Sequence, residues 1–389
     1  MPLFPERELG DHRARWLPTV DTAYDEMERC IDGATSTIRL ETYILREQGP
    51  AVRFRDALLR ARSRGVRVRV LLDAFGSEEV REEFIAPLRE AGARVARFNP
   101  QRFLRRTFRN HRKLLVVDGT AAVVGGFNIA PEYTGDGVTR GWCDAGLVIR
   151  GPVALELAQS FDVMYGLAPF TPWRLRRFRR RMRQAAASSP HHIAGNGPVE
   201  LFMRGPMIKR RLLRRALHHD LRKARDVAIA SAYFLPAPDL RRMLYHVRRA
   251  AGRVRILLAG NTDVPLARYA AERFYRRLFR RGIEIHEYQP QILHAKVVII
   301  DDVLYAGSCN LDRRSLQINH ELLLRLEWPE LAADARQWFG ACLQHAPAVK
   351  PQEWRKARTL WRRLRSRVAY QLLGRLDPLI ARRGFRSIS

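Results

Sequence analysis

Lysine is nearly missing from this sequence: of 70 basic residues in 389, only Lys113, Lys209, Lys223, Lys296, Lys350 and Lys356 are not arginine. Acidic residues are few as well, 40 in all, which leaves a formal charge of +30. Cysteine is limited to Cys30, Cys143, Cys309 and Cys342, scattered without a CxxC pair or a His/Cys cluster at zinc spacing. That excludes a disulfide scaffold and a finger-type metal site, and makes free thiols in a reducing compartment the default. No uncharged apolar run reaches the roughly 18 residues that a membrane span needs. The first residues, MPLFPERELGDHRARW, lack the apolar stretch of a signal peptide. Any membrane contact is therefore expected to be peripheral. What is present is 46% apolar residues, enough to fill the core of one large or two ordinary domains. The charge points to polyanions, whether nucleic acid, an anionic membrane or a phosphorylated substrate, and composition does not choose among them.

Short β-rich runs alternate with amphipathic helices, the mark of an α/β chain. Thr37 to Ile44 reads as a strand, Phe54 to Arg64 as a helix and Val66 to Asp73 as the next strand. The series then starts again near Asp226: VAIASAYFLP and VRILLAGNTD resemble the first two strands. GARVARFNP (92–100) matches GIEIHEYQP (282–290), and HRKLLVVDGTAAVVGGFN (111–128) matches HAKVVIIDDVLYAGSCN (294–310). Four collinear matches at offsets of about 182 to 190 residues make an internal duplication, with a period too long for a solenoid. The expected organisation is an N-terminal segment (1–22), a first half (23–168), a basic linker (169–198), a second half (199–346) and a basic tail (347–389). The linker contains Trp173–Gln184, with seven arginines and no acid.

The most constrained segment of each half is a β-hairpin. Lys113–Val117 and Ala121–Val124 flank Asp118-Gly119, and Lys296–Ile300 and Val303–Ala306 flank Asp301-Asp302. His111 and Lys113 stand two apart and share a face, as do His294 and Lys296. Each hairpin leads into a small-residue loop ending in Asn128 or Asn310. One His-x-Lys is an ordinary solvated strand end. The whole pattern, twice, at matching places in duplicated halves, is a reactive constellation, and it holds two of the six lysines.

These segments resemble the paired HKD motifs of the phospholipase D superfamily, over roughly residues 20 to 345. LETYI (40–44), RGVRVRVLLD (64–73), GGFNIAPEY (125–133), GWCDAGLVIRGP (141–152) and SCNLDRRSLQINHEL (308–322) are similar to one branch, the bacterial cardiolipin synthases of the short, ClsB type. The resemblance implies two phospholipase D-like halves, each a mixed β-sheet flanked by helices, with the active site at their pseudo-twofold interface. The second motif departs slightly: five residues separate Asp301 from Gly307, against six between Asp118 and Gly125. The shortening is expected to alter the turn and not the placement of His294 and Lys296.

A phosphodiester has a poor alkoxide leaving group. One neutral imidazole can attack phosphorus while a second, protonated one gives its proton to the leaving oxygen. The family order makes His111 the nucleophile and His294 the acid and then base, though the duplication leaves the reverse nearly as plausible chemically. Lys113, Lys296, Asn128 and Asn310 are placed to bind the non-bridging oxygens. No metal and no cofactor is expected. Asp118 and Asp301 complete the motifs, yet lie at hairpin turns off the His/Lys face and are expected to act structurally. A nucleophilic imidazole needs its other nitrogen held. Asp144 and Glu321, in the blocks after the Asn loops, are the candidate orienting carboxylates, or else surface acids. Glu132 lines the acceptor pocket or belongs to the loop surface. Cys309 is expected to be filler.

From Trp354 on, Trp354, Ala357, Trp361, Leu364, Val368, Leu372, Leu376 and Leu379 recur every three or four residues among arginines. This reads as one amphipathic helix, either an interfacial anchor on anionic phospholipid or a helix packed by that face onto the core. The favoured function is a cardiolipin synthase, peripheral on the cytoplasmic side of a bacterial membrane. It would transfer a phosphatidyl group to phosphatidylglycerol with release of glycerol. The alternative is a nuclease or phosphodiesterase of the same superfamily acting on nucleic acid, which the favoured reading excludes as a partner.

Overall fold

A computed structural model describes residues 3–99, 108–168, 197–205 and 211–376. The basic segment Trp173–Gln184 and the tail beyond residue 376 lie outside them. The first half runs β1 (Arg7–Leu9), β2 (His12–Leu17), α1 (Val20–Asp32), β3 (Thr37–Thr42), α2 (Pro50–Ser63), β4 (Arg67–Asp73), α3 (Glu82–Glu90), β5 (Arg94–Phe98), β6 (Leu114–Val117), β7 (Ala121–Gly125), β8 (Gly146–Arg150) and α4 (Pro152–Leu167). The second runs β9 (Val199–Arg204), α5 (Arg211–Arg222), β10 (Asp226–Ser231), α6 (Pro238–Arg249), β11 (Arg253–Ala259), α7 (Pro265–Phe279), β12 (Glu284–Tyr288), β13 (Lys296–Ile300), β14 (Val303–Gly307), α8 (Arg313–Gln317), β15 (Glu321–Glu327) and α9 (Pro329–Gln344). The tail adds α10 (Pro351–Lys356) and α11 (Leu360–Gln371).

The two sheets repeat one topology. Strand order is β1-β2-β8-β7-β6-β3-β4-β5 in the first and β12-β11-β10-β13-β14-β15-β9 in the second. Three parallel strands (β3, β4, β5 and their counterparts β10, β11, β12) join an antiparallel set led by the motif hairpin. Both sheets are thus mixed, as the crossover helices and the tight hairpins require.

Strand alternation sets the layers. Leu114, Val116, Leu147 and Ile149 face a central core, while Leu115, Val117 and Val148 face the core under α1 and α2. The second sheet sends Val297, Ile299, Leu322, Leu324 and Leu326 into the same central core. Between the sheets lie α4, buried along Val153, Leu157, Phe161 and Met164, and α9, buried along Leu331, Ala335, Trp338 and Phe339. Trp16 of β2 meets Trp338 edge-on at 5.7 Å, and Arg7 pairs with Asp334 at 2.8 Å. The halves are joined by one shared core. All four thiols are free.

The tail differs from the expected single helix. Thr359 caps α11 by accepting from the Arg362 amide at 3.2 Å, which separates it from α10. Trp354 belongs to the core, set against Tyr275 and Phe279. Helix α11 rests on α7 through Ser366, Ala369 and Tyr370, with Arg362 paired to Glu272 at 3.1 Å. Its apolar stripe, Leu360, Trp361, Leu364, Val368 and Leu372, stays exposed.

Candidate active site

The two hairpins are superposable in register up to their turns. Leu114 faces Val124 across the first, Val297 faces Ala306 across the second, and both returning strands have five residues. The missing residue is in the turn: Asp118-Gly119-Thr120 against Asp301-Asp302. Both aspartates have positive φ (53° and 46°), which short polar side chains tolerate. Asp118 accepts from the amides of Thr35, Ser36 and Thr37 at 2.6 to 2.9 Å, and Asp301 from those of Arg225 and Asp226. Partial burial opposes ionisation of Asp118, but these amides hold its carboxyl below the usual range. Neither aspartate touches a motif histidine or lysine; they tie each turn to the entry of the neighbouring strand.

At the other end of the hairpins the halves interlock. The His111 amide donates to the His320 carbonyl at 2.9 Å and the His320 amide to Arg109 at 2.8 Å. Cys143 makes the mirror contact, donating to Ile292 at 2.8 Å and accepting from His294 and Ala295. These bridges carry each acidic block beside the opposite motif. His111 Nδ1 therefore lies 3.0 and 3.1 Å from the two oxygens of Glu321, and His294 Nδ1 lies 2.7 Å from Asp144. Each histidine is held by the carboxylate that follows the other half's Asn loop.

Burial sets the electrostatics. It pushes both imidazoles well below their ordinary range, and the charges of Lys113 and Lys296 push the same way. Burial also lifts Glu321 to about 8 and Asp144 to about 6, lowers Lys296 to about 8 and holds Lys113 well below its ordinary range. Removed from water, each group moves toward its neutral form. Lys113 donates to the His111 carbonyl at 2.6 Å; Lys296 donates to the His294 carbonyl and stands 2.9 and 3.1 Å from its ring nitrogens. Both lysines and both histidines thus share one buried cluster.

The Asn loops are not identical in use. Asn128 accepts from the Ile44 amide at 3.0 Å and donates to Tyr133 Oη at 2.7 Å, so its amide also braces the loop. Asn310 is buried with its amide oxygen unpartnered among the described residues. Gly126 has no room for a side chain, since a Cβ would fall 2.5 Å from Asp144. Ser308, its counterpart, donates to Glu321 instead. Burial raises the Cys309 thiol well above its usual range, consistent with filler.

Several residues around the histidines were not among the candidates. Tyr133 Oη lies 3.4 Å from His294 Nε2, with the Trp142 ring tilted 5.3 Å from the same imidazole; Tyr43 packs 4.9 Å from His111. Glu132 sits half-exposed in the turn Pro131–Tyr133, and the residue of that turn reaching the site is Tyr133. The only sequence signal for these aromatics was proximity to a motif. Among the described residues no cluster of three metal-ligating side chains occurs.

Two crossed histidine–carboxylate pairs and two buried lysines, carried on duplicated mixed sheets, form the candidate active site of a phospholipase D-like fold. The family model "Cardiolipin synthase, PLD-like domain" matches residues 27–165 and 217–343, and the chain belongs to that family. It is a phosphatidyltransferase. It is similar to "Cardiolipin synthase 1" of Bacillus cereus (28% identity, covering 94% of this chain and 72% of that one). The "Cardiolipin synthase" of Geobacillus kaustophilus is 30% identical, covering 93% and 70%. The crystal structure of phosphatidylserine synthase from Haemophilus influenzae shares the fold, with a TM-score of 0.72, 14% identity and 95% and 96% coverage.

Proposed function

We propose that the chain is a cardiolipin synthase that works through a phosphatidyl–histidine intermediate, and the crossed pairs His111–Glu321 and His294–Asp144 carry the reading. His111 Nε2 attacks the donor phosphorus while Glu321 holds Nδ1. His294 protonates the departing headgroup alkoxide. In the second half-reaction the hydroxyl of phosphatidylglycerol gives its proton to His294 and attacks the same phosphorus, which leaves His111 neutral again. With phosphatidylglycerol as donor the released alcohol is glycerol. Lys113, Lys296 and the Asn128 and Asn310 amides face the charge on the non-bridging oxygens.

The order of roles is supported by access: the His111 side chain is 12% exposed, against 5% for His294, whose Nε2 meets the Tyr133 hydroxyl. A neutral, buried imidazole suits attack; the anionic substrate and Asp144 together favour the proton that His294 must carry. Among the described residues no helix is long and apolar enough to cross a membrane, and the exposed stripe of α11 supports peripheral attachment.

The test is to supply the purified protein with phosphatidylglycerol vesicles and identify lipid products by mass spectrometry, then trap the adduct. Cardiolipin plus glycerol, with a phosphohistidine lost in His111→Ala, is the expected result. An adduct lost in His294→Ala but kept in His111→Ala reverses the roles. DNA cleavage without cardiolipin from any vesicle overturns the reading in favour of a nuclease.

A further inference from the structure

The catalytic groups are duplicated, but the walls beside them are not. Two residues before His111 stands Arg109; the matching position before His294 is Ile292. Arg109 Nη1 donates to Tyr43 Oη at 3.1 Å, and its guanidinium lies 4.0 Å from the Phe75 ring centroid. Tyr43 in turn packs on the His111 ring, and Lys113 Nζ lies 5.1 Å from the Tyr43 ring centroid. The Arg109 charge acts on the buried Asp73 carboxyl, which is already held by the Phe75, Gly76 and Asn110 amides, but no carboxylate among the described residues forms an ion pair with Arg109 within 4 Å; the neighbouring Arg112 is buried against Glu41 at 3.2 Å. On the second half's side Ala232 stands where Tyr43 does, and the next residue, Tyr233, donates to Asp263 at 2.8 and 2.9 Å. The position equivalent to Asp263 in the first half is Ser77, which is fully buried and accepts from the Leu45 amide. One flank of a pseudosymmetric centre is therefore cationic and the other anionic.

The proposed reaction has the same asymmetry. Joining two phosphatidyl groups through one glycerol brings a second phosphodiester within three carbons of the reacting phosphorus, and that anion needs a cation of its own. Lys113 and Lys296 belong to the first phosphate. Beside Asp263 a second phosphate would be repelled. We propose that Arg109, oriented by Tyr43, forms a second phosphodiester subsite that holds the acceptor lipid's own phosphate while its free hydroxyl reaches the centre. Asp263 and Tyr233 then face the uncharged hydroxyls of the headgroup. This inference rests on the synthase reading and names how that site selects its acceptor. A guanidinium is suited to it by its planar fork of donors.

The test compares two acceptors at saturating donor: soluble dihexanoyl-phosphatidylglycerol, which carries the second phosphate, and glycerol, which does not. In Arg109→Gln the KM for the phosphate-bearing acceptor should rise by about tenfold or more relative to that for glycerol, as expected on losing a charge-assisted contact. Arg109→Lys should recover part of the difference, and Tyr43→Phe should lose a smaller part of it. Equal changes for both acceptors, or none, in a variant that still forms the phosphohistidine adduct, would overturn the subsite alone. A wild-type protein that makes no cardiolipin overturns the synthase reading and the subsite with it.

Discussion

His111 and His294 each depend on a carboxylate more than 140 residues away in sequence, Glu321 and Asp144. On the proposed mechanism, the crossing lets mutation separate nucleophilic attack from proton transfer to the leaving group within the first half-reaction. Glu321→Gln puts a neutral amide in place of the carboxylate at Nδ1 of His111, the proposed nucleophile, and should slow adduct formation by about 10³-fold or more, by analogy with hydrolase triads. Asp144→Asn acts on His294, the proposed proton carrier, so it should slow headgroup departure with an ordinary alcohol but much less with a good leaving group such as p-nitrophenol. Rapid-quench measurement on both donors checks the split; equal losses would mean the carboxylates only maintain the fold. The pKa shifts fix a pH profile as well. Because burial holds the His111 imidazole below its ordinary range, adduct formation from a p-nitrophenyl donor, whose leaving group needs no proton from His294, should fall only at pH clearly below about 6.5. It should fall again above about 8, where Lys296 loses its proton. A kcat/KM profile for the donor with its acid limb near 7 would contradict this. The histidines, lysines and asparagines were legible because duplication marked them twice. Tyr43, Tyr133 and Trp142 occur once, without internal counterparts, and only the fold brings Tyr133 to His294, 161 residues on.

At the scale of elements, the hairpin is the unit that duplication preserved. Its strands were legible because alternation and turn chemistry agree; the ladder of the first begins at Leu114, one residue later than the apolar run suggested. Less legible were the short β1 and the break before α11, which depend on pairing and on one cap and not on any period. The turn aspartates give a prediction at this level. Asp118 meets three backbone N–H groups and adopts φ of 53°, so Asp118→Ala removes those partners and leaves the strained conformation to alanine. A loss of about 2 kcal/mol in chemical denaturation is expected, with turnover per folded molecule changed less than about threefold. A large loss of turnover at unchanged stability would instead return Asp118 to the chemistry.

The whole molecule ties one site to two sheets through a shared core, and the proposed peripheral attachment falls to its tail. Sequence periodicity showed that α11 has an apolar face, but not which side would meet the protein. Small Ser366 and Ala369 allow close approach to α7, where Arg362 finds Glu272, so docking uses the opposite side from the large apolar residues. Trp361 is left 79% exposed, with Leu364 and Val368 about half exposed, flanked by Arg363, Arg365 and Arg367. An apolar stripe bordered by guanidinium groups matches an anionic bilayer surface, where each basic residue adds about 1 kcal/mol and the apolar side chains enter the headgroup boundary. Removing residues 350–389 should lower vesicle binding and lipid transfer more than activity on a soluble diester. That deletion also uncovers Tyr275 and Phe279 by taking Trp354 away, so a substitution is the cleaner test. Replacing Trp361, Leu364 and Val368 together by serine touches no core contact and should cut cosedimentation with phosphatidylglycerol vesicles by about tenfold or more. The soluble diester should be turned over as before, because the stripe lies on the solvent face of the tail helix, whose other side packs on α7. Undiminished vesicle binding by the triple variant would show that another surface carries the attachment.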